Sequence, residues 1–172
     1  RLSSAYCQGA WVTPVAPDTK PVPADQVTST VTADYGHFDP NGDSVLEGNV
    51  VIDQQGRQIR ADQIKIDKTQ TYAKASGRVQ MAQAGLLSQS DSINYNLKTQ
   101  QGDLNSSLYI AEQSHAHGSA AKIARTSEQT VELENATYST CPPGETPTWK
   151  IQANKIKLNQ ETGRGETTGT KL

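Results

Sequence analysis

The side chains able to do chemistry in this 172-residue sequence are few, and their spacing restricts what that chemistry could be. His115-Ala-His117 could set two imidazoles on one strand face, the start of a metal site. No acidic residue or cysteine follows at ligand spacing, so the pair reads as a solvated loop. Asp39-x-Asn41-x-Asp43 opens like a calcium loop, but Ser44 stands where the required Gly belongs and Val50 where the bidentate Glu would be. With Pro40 and Asn41-Gly42 inside it, that segment reads as a hairpin turn. Three His, no serine in a nucleophile elbow and no Gly-rich phosphate loop leave no catalytic constellation. Asp34, Asp62 and Asp91 recur in phase and could be stacked carboxylates, the one support for an enzyme on a β-solenoid; they read better as turn formers beside a bend. The expectation is therefore no catalytic residue, no metal and no cofactor. Asn105-Ser-Ser and Asn135-Ala-Thr are glycosylation sequons, relevant only in a eukaryotic secreted protein. Cys7 and Cys141 have no metal-type spacing: they form one disulfide in an oxidising compartment, or are two thiols whose partners lie elsewhere.

The elements that would carry these residues show a repeat. A small residue stands three places before its counterpart in Ala33-Asp-Tyr-Gly36, Ala61-Asp-Gln-Ile64, Ser90-Asp-Ser-Ile93, Ala120-Ala-Lys-Ile123 and Ala153-Asn-Lys-Ile156, with steps of 28, 29, 30 and 33 residues. A second figure, Leu46-Glu-Gly48-Asn-Val50 and Ala75-Ser-Gly77-Arg-Val79, alternates with the first and decays into Leu104-Asn-Ser106 and Leu133-Glu-Asn135-Ala136. A fixed period near 30 residues marks stacked units, none of which buries its apolar face alone.

Composition agrees with such a stack. Hydrophobic residues make up 34% with a single Phe and a single Met, too little for a Leu-rich helical core, and mean hydropathy is −0.66. Sixteen basic and 18 acidic residues give a net charge of −2, without the basic patch that neutralising nucleic-acid phosphates requires, so no nucleic acid is expected as partner. No run of 18 apolar residues is present to span a bilayer as a helix, no signal peptide is visible, and Arg1 in place of Met reads as a trimmed start.

Residues 1–26 hold four of the eight prolines and read as an extended tether, with residues 27–172 as one all-β domain of about ten short strands. Apolar residues alternate at odd positions up to Ala61 and at even positions from Ile64, which demands a bulge or corner near Asp62; Ile151 and Ala153, then Ile156 and Leu158, repeat the slip. One face should collect Val50, Ile52, Ile59, Ile64, Ile66, Val79, Met81, Ile93, Tyr95, Leu97, Leu108, Ile110, Ile123, Val131, Leu133, Ile151, Ile156 and Leu158. These side chains either fill one another's space as a core or, with only two Trp, six Tyr and one Phe to supply bulk, leave an open apolar groove. Such a groove suits acyl chains, at about 0.8 kcal/mol per buried methylene.

Leu-Glu-Gly-Asn-Val-Val-Ile over 46–52, followed by Ile-Arg-Ala-Asp-Gln-Ile over 59–64, resembles the OstA repeat of bacterial lipopolysaccharide-transport proteins. Tyr6-Cys7 and the run from Tyr138 through Cys141-Pro-Pro-Gly and Trp149 to Leu158 resemble the LptD branch of that family, its N-terminal periplasmic domain, rather than the free-standing LptA-type bridge. The likeness extends from Cys7 to Leu172. It implies a V-shaped, OstA-type β-jelly roll at the periplasmic face of a Gram-negative outer membrane, whose interior, lined by the apolar set above, cradles the lipid A acyl chains of lipopolysaccharide. It also implies edge-to-edge docking with the bridge protein, placed here in the first strand at Thr28, Val31, Ala33 and Tyr35, and delivery to the protein's own C-terminal barrel and its lipoprotein plug. Cys7 and Cys141 match family cysteines that bond to a pair in the barrel. No barrel strands occur before Leu172, so a direct Cys7–Cys141 bond or two free thiols are both open. A filled β-solenoid spacer that binds no lipid is the structural rival.

Overall fold

The structure, a computed structural model, describes residues 29–54, 57–83, 86–96, 98–99, 101–111, 115–126, 130–142, 146–159, 162 and 164–172. The expected tether, Cys7, Thr28 and Leu97 lie outside them. The described chain forms eleven strands and no helix: β1 (Ser29–Thr32), β2 (Tyr35–His37), β3 (Ser44–Gln54), β4 (Arg57–Ile66), β5 (Tyr72–Gln83), β6 (Leu86–Asn96), β7 (Gln101–Ala111), β8 (Ala116–Arg125), β9 (Thr130–Tyr138), β10 (Ile151–Asn159) and β11 (Gly165–Thr168). They run as one antiparallel sheet in the order β1-β3-β4-β5-β6-β7-β8-β9-β10-β11, with β2 also pairing β3. The first edge is thus one strand broken at Ala33–Asp34, its halves pairing with opposite ends of β3.

Segments that read in sequence as short strands lie within longer ones, one to each. Strands β3 to β10 are 9 to 12 residues long and cross a corner near their middles. The corner is made by left-handed backbone at one level in successive odd strands: Gly48 and Asn49 in β3 (φ 73° and 45°), Gly77 and Arg78 in β5 (73° and 44°), Ser106 in β7 (50°) and Asn135 in β9 (46°). In β3 and β5 an extra residue is inserted, so Gly48-Asn49 oppose Asp62 alone and Gly77-Arg78 oppose Asp91 alone. A two-for-one bulge bends a strand and raises its twist. The slip predicted near Asp62 is real, and its extra residues sit on the flanking strands. In β10 the change of phase between Ala153 and Ile156 comes with an unbroken register to β9, so no insertion causes it.

Two ladders of buried side chains flank the corner. On one arm Leu46, Ile64, Ala75, Ile93, Leu104, Ile123, Leu133 and Ile156 are direct cross-strand partners in a single row from β3 to β10. All are buried. On the other arm the residues next to the corner are small: Val50 and Ala61, Val79 and Ser90, Ser107 and Ala120, Ala136 and Ala153. Small side chains on one wall and aliphatic ones on the other let the arms close sharply at the apex while filling it. The buried hydroxyls of Ser90 and Ser107 bond to each other at 2.7 Å, so neither remains unsatisfied.

Away from the apex, no two strands other than sheet neighbours bring their Cα atoms within 8 Å among the described residues. The arms are therefore joined across the interior by side chains alone.

Candidate functional site

The in-phase aspartates belong to the corner. Asn49 Nδ2 donates to Asp34 Oδ2 at 2.8 Å, and Arg78 Nε donates to Asp62 Oδ1 at 2.9 Å. In each pair the second bulge residue clamps the carboxylate of the adjoining strand. The hydrogen bond from Arg78 holds the Asp62 carboxyl below its ordinary range. A Cβ on Gly48 or Gly77 would meet Asp34 or Asp62 Oδ2 at 2.5 Å, so glycine is required for close approach as well as for handedness. Asp39 to Asp43 forms the expected hairpin turn between β2 and β3: Asn41 N donates to Asp39 Oδ1 at 2.8 Å, and Asp43 pairs with Lys65 at 3.0 Å. No group of His, Cys, Asp or Glu with metal-binding arrangement occurs among the described residues.

Among the described residues, an arrangement with room for a ligand lies between the arms, outward from the apex ladders. It is a cavity open to solvent, of about 630 Å³ with that open space included, lined by Arg57, Ile59, Met81, Leu86, Ile93, Tyr95, Gly102, Leu104, Ile123, Arg125 and Val131. Apolar walls with few polar groups are the usual character of a ligand site. Arg57 at the start of β4 and Tyr95 at the end of β6 come from opposite arms, and Arg57 Nη1 donates to Tyr95 Oη at 3.0 Å. The guanidinium carbon stands 5.6 Å from the Tyr95 ring centroid, a cation–π geometry. Gly102, the cross-strand partner of Tyr95, makes room for the ring: a Cβ there would lie 2.9 Å from Tyr95 Cδ2.

Of the apolar set expected to face inward, Val50, Ile64, Val79, Ile93, Ile123, Leu133 and Ile156 are buried in the core cluster. Ile52, Ile59, Ile66, Met81, Tyr95, Val131 and Leu158 pack against it half-buried. Leu108 is a correction: it is 58% exposed and points outward. Left-handed Ser106 reverses the alternation of β7, so the inward residues past the corner are Ser107 and Tyr109; Ile110, on the phase of Leu108, is outside the cluster too. Ile151 is half-buried and also lies outside the cluster. The Tyr109 hydroxyl donates to Thr137 O at 2.7 Å, and burial pushes its phenol well above the ordinary tyrosine range. Sequence reasoning missed Arg57, Leu86, Gly102, Leu104 and Arg125 in the cavity wall. Leu104 was legible as the partner of Ile93 in the repeat, but a strand-end arginine carries no signal that separates it from surface charge.

Past β9 the chain is held at Ser139, whose Oγ donates to Trp149 O at 2.8 Å and accepts from Cys141 N at 3.1 Å. Trp149 packs on Tyr138 with ring centroids 6.3 Å apart. It precedes β10, which begins at Ile151. Cys141 is buried, and no described cysteine is free. At the first edge Val31, Ala33 and Tyr35 are exposed, and β1 and β2 pair on one side only among the described residues.

A family model described as the LptA/(LptD N-terminal domain) LPS transport protein matches residues 30–164. The chain belongs to this family. Its description is of transport, in keeping with a site built from apolar walls rather than from reacting groups. LPS-assembly protein LptD of Acinetobacter baumannii is 70% identical over 99% of the chain, and that of Acinetobacter baylyi 67% over the same share. LptD of Pseudomonas putida is 30% identical over 97%. The chain spans about a fifth of the length of these relatives: 21%, 21% and 18%. Among solved structures, LptH of Pseudomonas aeruginosa, titled the LptA-homologous periplasmic component of the lipopolysaccharide transport device, matches 81% of each chain with a TM-score of 0.46 and 14% identity.

Proposed function

We propose that this chain is the periplasmic lipopolysaccharide-binding domain of an outer-membrane LPS-assembly translocon, holding acyl chains between the arms of its sheet and passing the lipid onward without a covalent step. The single observation that supports this best is the cavity between the arms: apolar, open to solvent, and bounded by strands of which only sheet neighbours bring their Cα atoms within 8 Å among the described residues. Transfer of each methylene from water into such walls is favourable by about 0.8 kcal/mol, so a chain of several methylenes binds without polar contacts. The exposed first edge around Val31 and Tyr35 would receive an LptA-type bridge protein by strand addition, and the opposite edge would face the barrel with its lipoprotein plug. In that setting residues 1–26 serve as tether, and Cys7 and Cys141 as its disulfide anchor points.

The test is site-specific photocrosslinking to lipopolysaccharide, with the crosslinker at Ile59, Ile93 and Ile123 inside and at Lys65 and Leu108 outside. Adducts confined to the inner positions are expected. A folded protein giving none, or equal labelling on both faces, refutes the trough and leaves a filled sheet stack with a spacer's role.

A further inference from the structure

We propose that the wall of the trough carries an oxyanion subsite, centred on Arg57, that takes a phosphate of the headgroup whose acyl chains lie inside; this rests on the lipid-trough reading above. Arg57 and Arg125 are the charged residues in a wall otherwise made of apolar side chains, Tyr95 and Gly102. A guanidinium in that position normally has a carboxylate beside it, because burying a charge without a counter-ion is unfavourable. The ion pairs formed by described residues join Lys65 to Asp43, Arg78 to Asp62, Lys122 to Asp103 and Lys155 to Glu132, and none involves Arg57. Its one polar partner is neutral, the Tyr95 hydroxyl on Nη1, and its Nε is buried with no acceptor at all. The ring of Tyr95, seated over Gly102, holds the guanidinium plane on one side. The result is a positioned cation with an unused donor at an apolar cavity. Its planar fork matches an oxyanion with two acceptor atoms, which a phosphate supplies. An amphiphile with phosphate at the junction of its polar and apolar parts would neutralise the charge of this lining guanidinium in one contact. Arg125 would add a second positive charge from β8.

The alternative role for Arg57 is structural, a clasp between the arms through Tyr95, and the experiment separates the two. Binding of the chain to bisphosphorylated lipid A and to the same acylated disaccharide without phosphates would be measured for wild type, Arg57→Met and Tyr95→Phe. Met keeps the length of the stem and removes the charge; Phe removes the clasp's hydroxyl and keeps the ring. Wild type should prefer the phosphorylated form by at least about tenfold, Arg57→Met should bind both forms alike at the level of the phosphate-free one, and Tyr95→Phe should keep the preference. Equal loss toward both forms in Arg57→Met, or the same collapse in Tyr95→Phe, would show a clasp and overturn the subsite. A wild type that binds both forms equally overturns the subsite while leaving the trough intact. Binding of neither form overturns the trough reading itself, and the subsite with it.

Discussion

Replacing Gly77 by alanine tests the account of the corner. The residue has φ of 73°, and a Cβ on it would stand 2.5 Å from Asp62 Oδ2, 2.8 Å from Asp62 Cβ and 3.0 Å from Cγ. Left-handed backbone costs an ordinary L-residue about 1–2 kcal/mol. The carboxylate can rotate away, but the Asp62 Cβ is fixed by its own backbone, so β4 and β5 must part. Forced overpacking of this kind adds roughly 1–3 kcal/mol. The stiffer unfolded chain of the alanine variant gives back up to about 1 kcal/mol. A net destabilisation of about 1–4 kcal/mol follows, which at a urea m-value of about 2 kcal/mol/M lowers the unfolding midpoint by about 0.5–2 M. The assay is urea unfolding followed by far-UV circular dichroism, repeated in an Asp62→Gly background that lacks the opposing Cβ. There the cost of Gly77→Ala should fall to the handedness share less the same unfolded-chain gain, about 0–2 kcal/mol. Equal costs in both backgrounds would refute the contact argument, and a cost below about 0.5 kcal/mol in the first would refute the corner's dependence on glycine.

Leu108→Ser should change stability by less than about 0.5 kcal/mol, as expected of an outward side chain; a larger loss would return Leu108 to the interior. Tyr109→Phe removes the donor to Thr137 O and should cost about 0.5–1.5 kcal/mol by the same unfolding assay, whereas no change would show that bond to be idle. The carboxyls of Asp43, Asp62, Asp67 and Glu132 are all depressed, chiefly by side-chain hydrogen bonds from Lys65, Arg78, Thr69 and Lys155. Folded values below the unfolded ones (3.8 for Asp, 4.5 for Glu) give stability that is present above those values and lost as pH falls through the folded ones. The urea midpoint should therefore hold level from pH 7 toward 5 and decline below about 4; an unchanged midpoint at pH 3 would contradict this. The raised Tyr109 phenol works in the opposite direction: its stabilisation is complete below the ordinary tyrosine value of 10.0 and lost above it. Tyrosinate absorbance should show one tyrosine ionising only as the protein unfolds, and a full six-tyrosine titration of folded protein would refute that.

Much of this architecture was legible because the repeat records a physical requirement. The small residue and the isoleucine of Ala61-x-x-Ile64 are the two sides of the apex, and the two residues between them go round the corner. The Gly figure was legible for the same reason, since only glycine passes so close to an aspartate at positive φ. Its decay also has a structural meaning. From Leu46 to Val50 and from Ala75 to Val79 the corner includes an inserted residue, whereas Leu104 to Ser107 and Leu133 to Ala136 make the turn with one fewer. Ser106 and Asn135 carry no glycine signal, so the reversal of phase in β7 that turns Leu108 outward leaves no mark in the sequence. The cavity wall was half legible for a different reason. Aliphatic partners follow from period, but Arg57 and Tyr95 meet across 38 residues of chain from opposite arms, a pairing set by how far the arms close and by no local pattern.

The corner at one level in β3, β5, β7 and β9 fixes how this protein can change size in evolution. A unit of about 29 residues, one strand out and one back, carries its own apex, its own share of each ladder and its own stretch of trough wall. Adding or deleting such a unit lengthens or shortens the sheet by two strand spacings, about 10 Å, and leaves the cross-section untouched. Reach comes in whole steps while bore stays constant, so the span between the two sheet edges is a count of repeats.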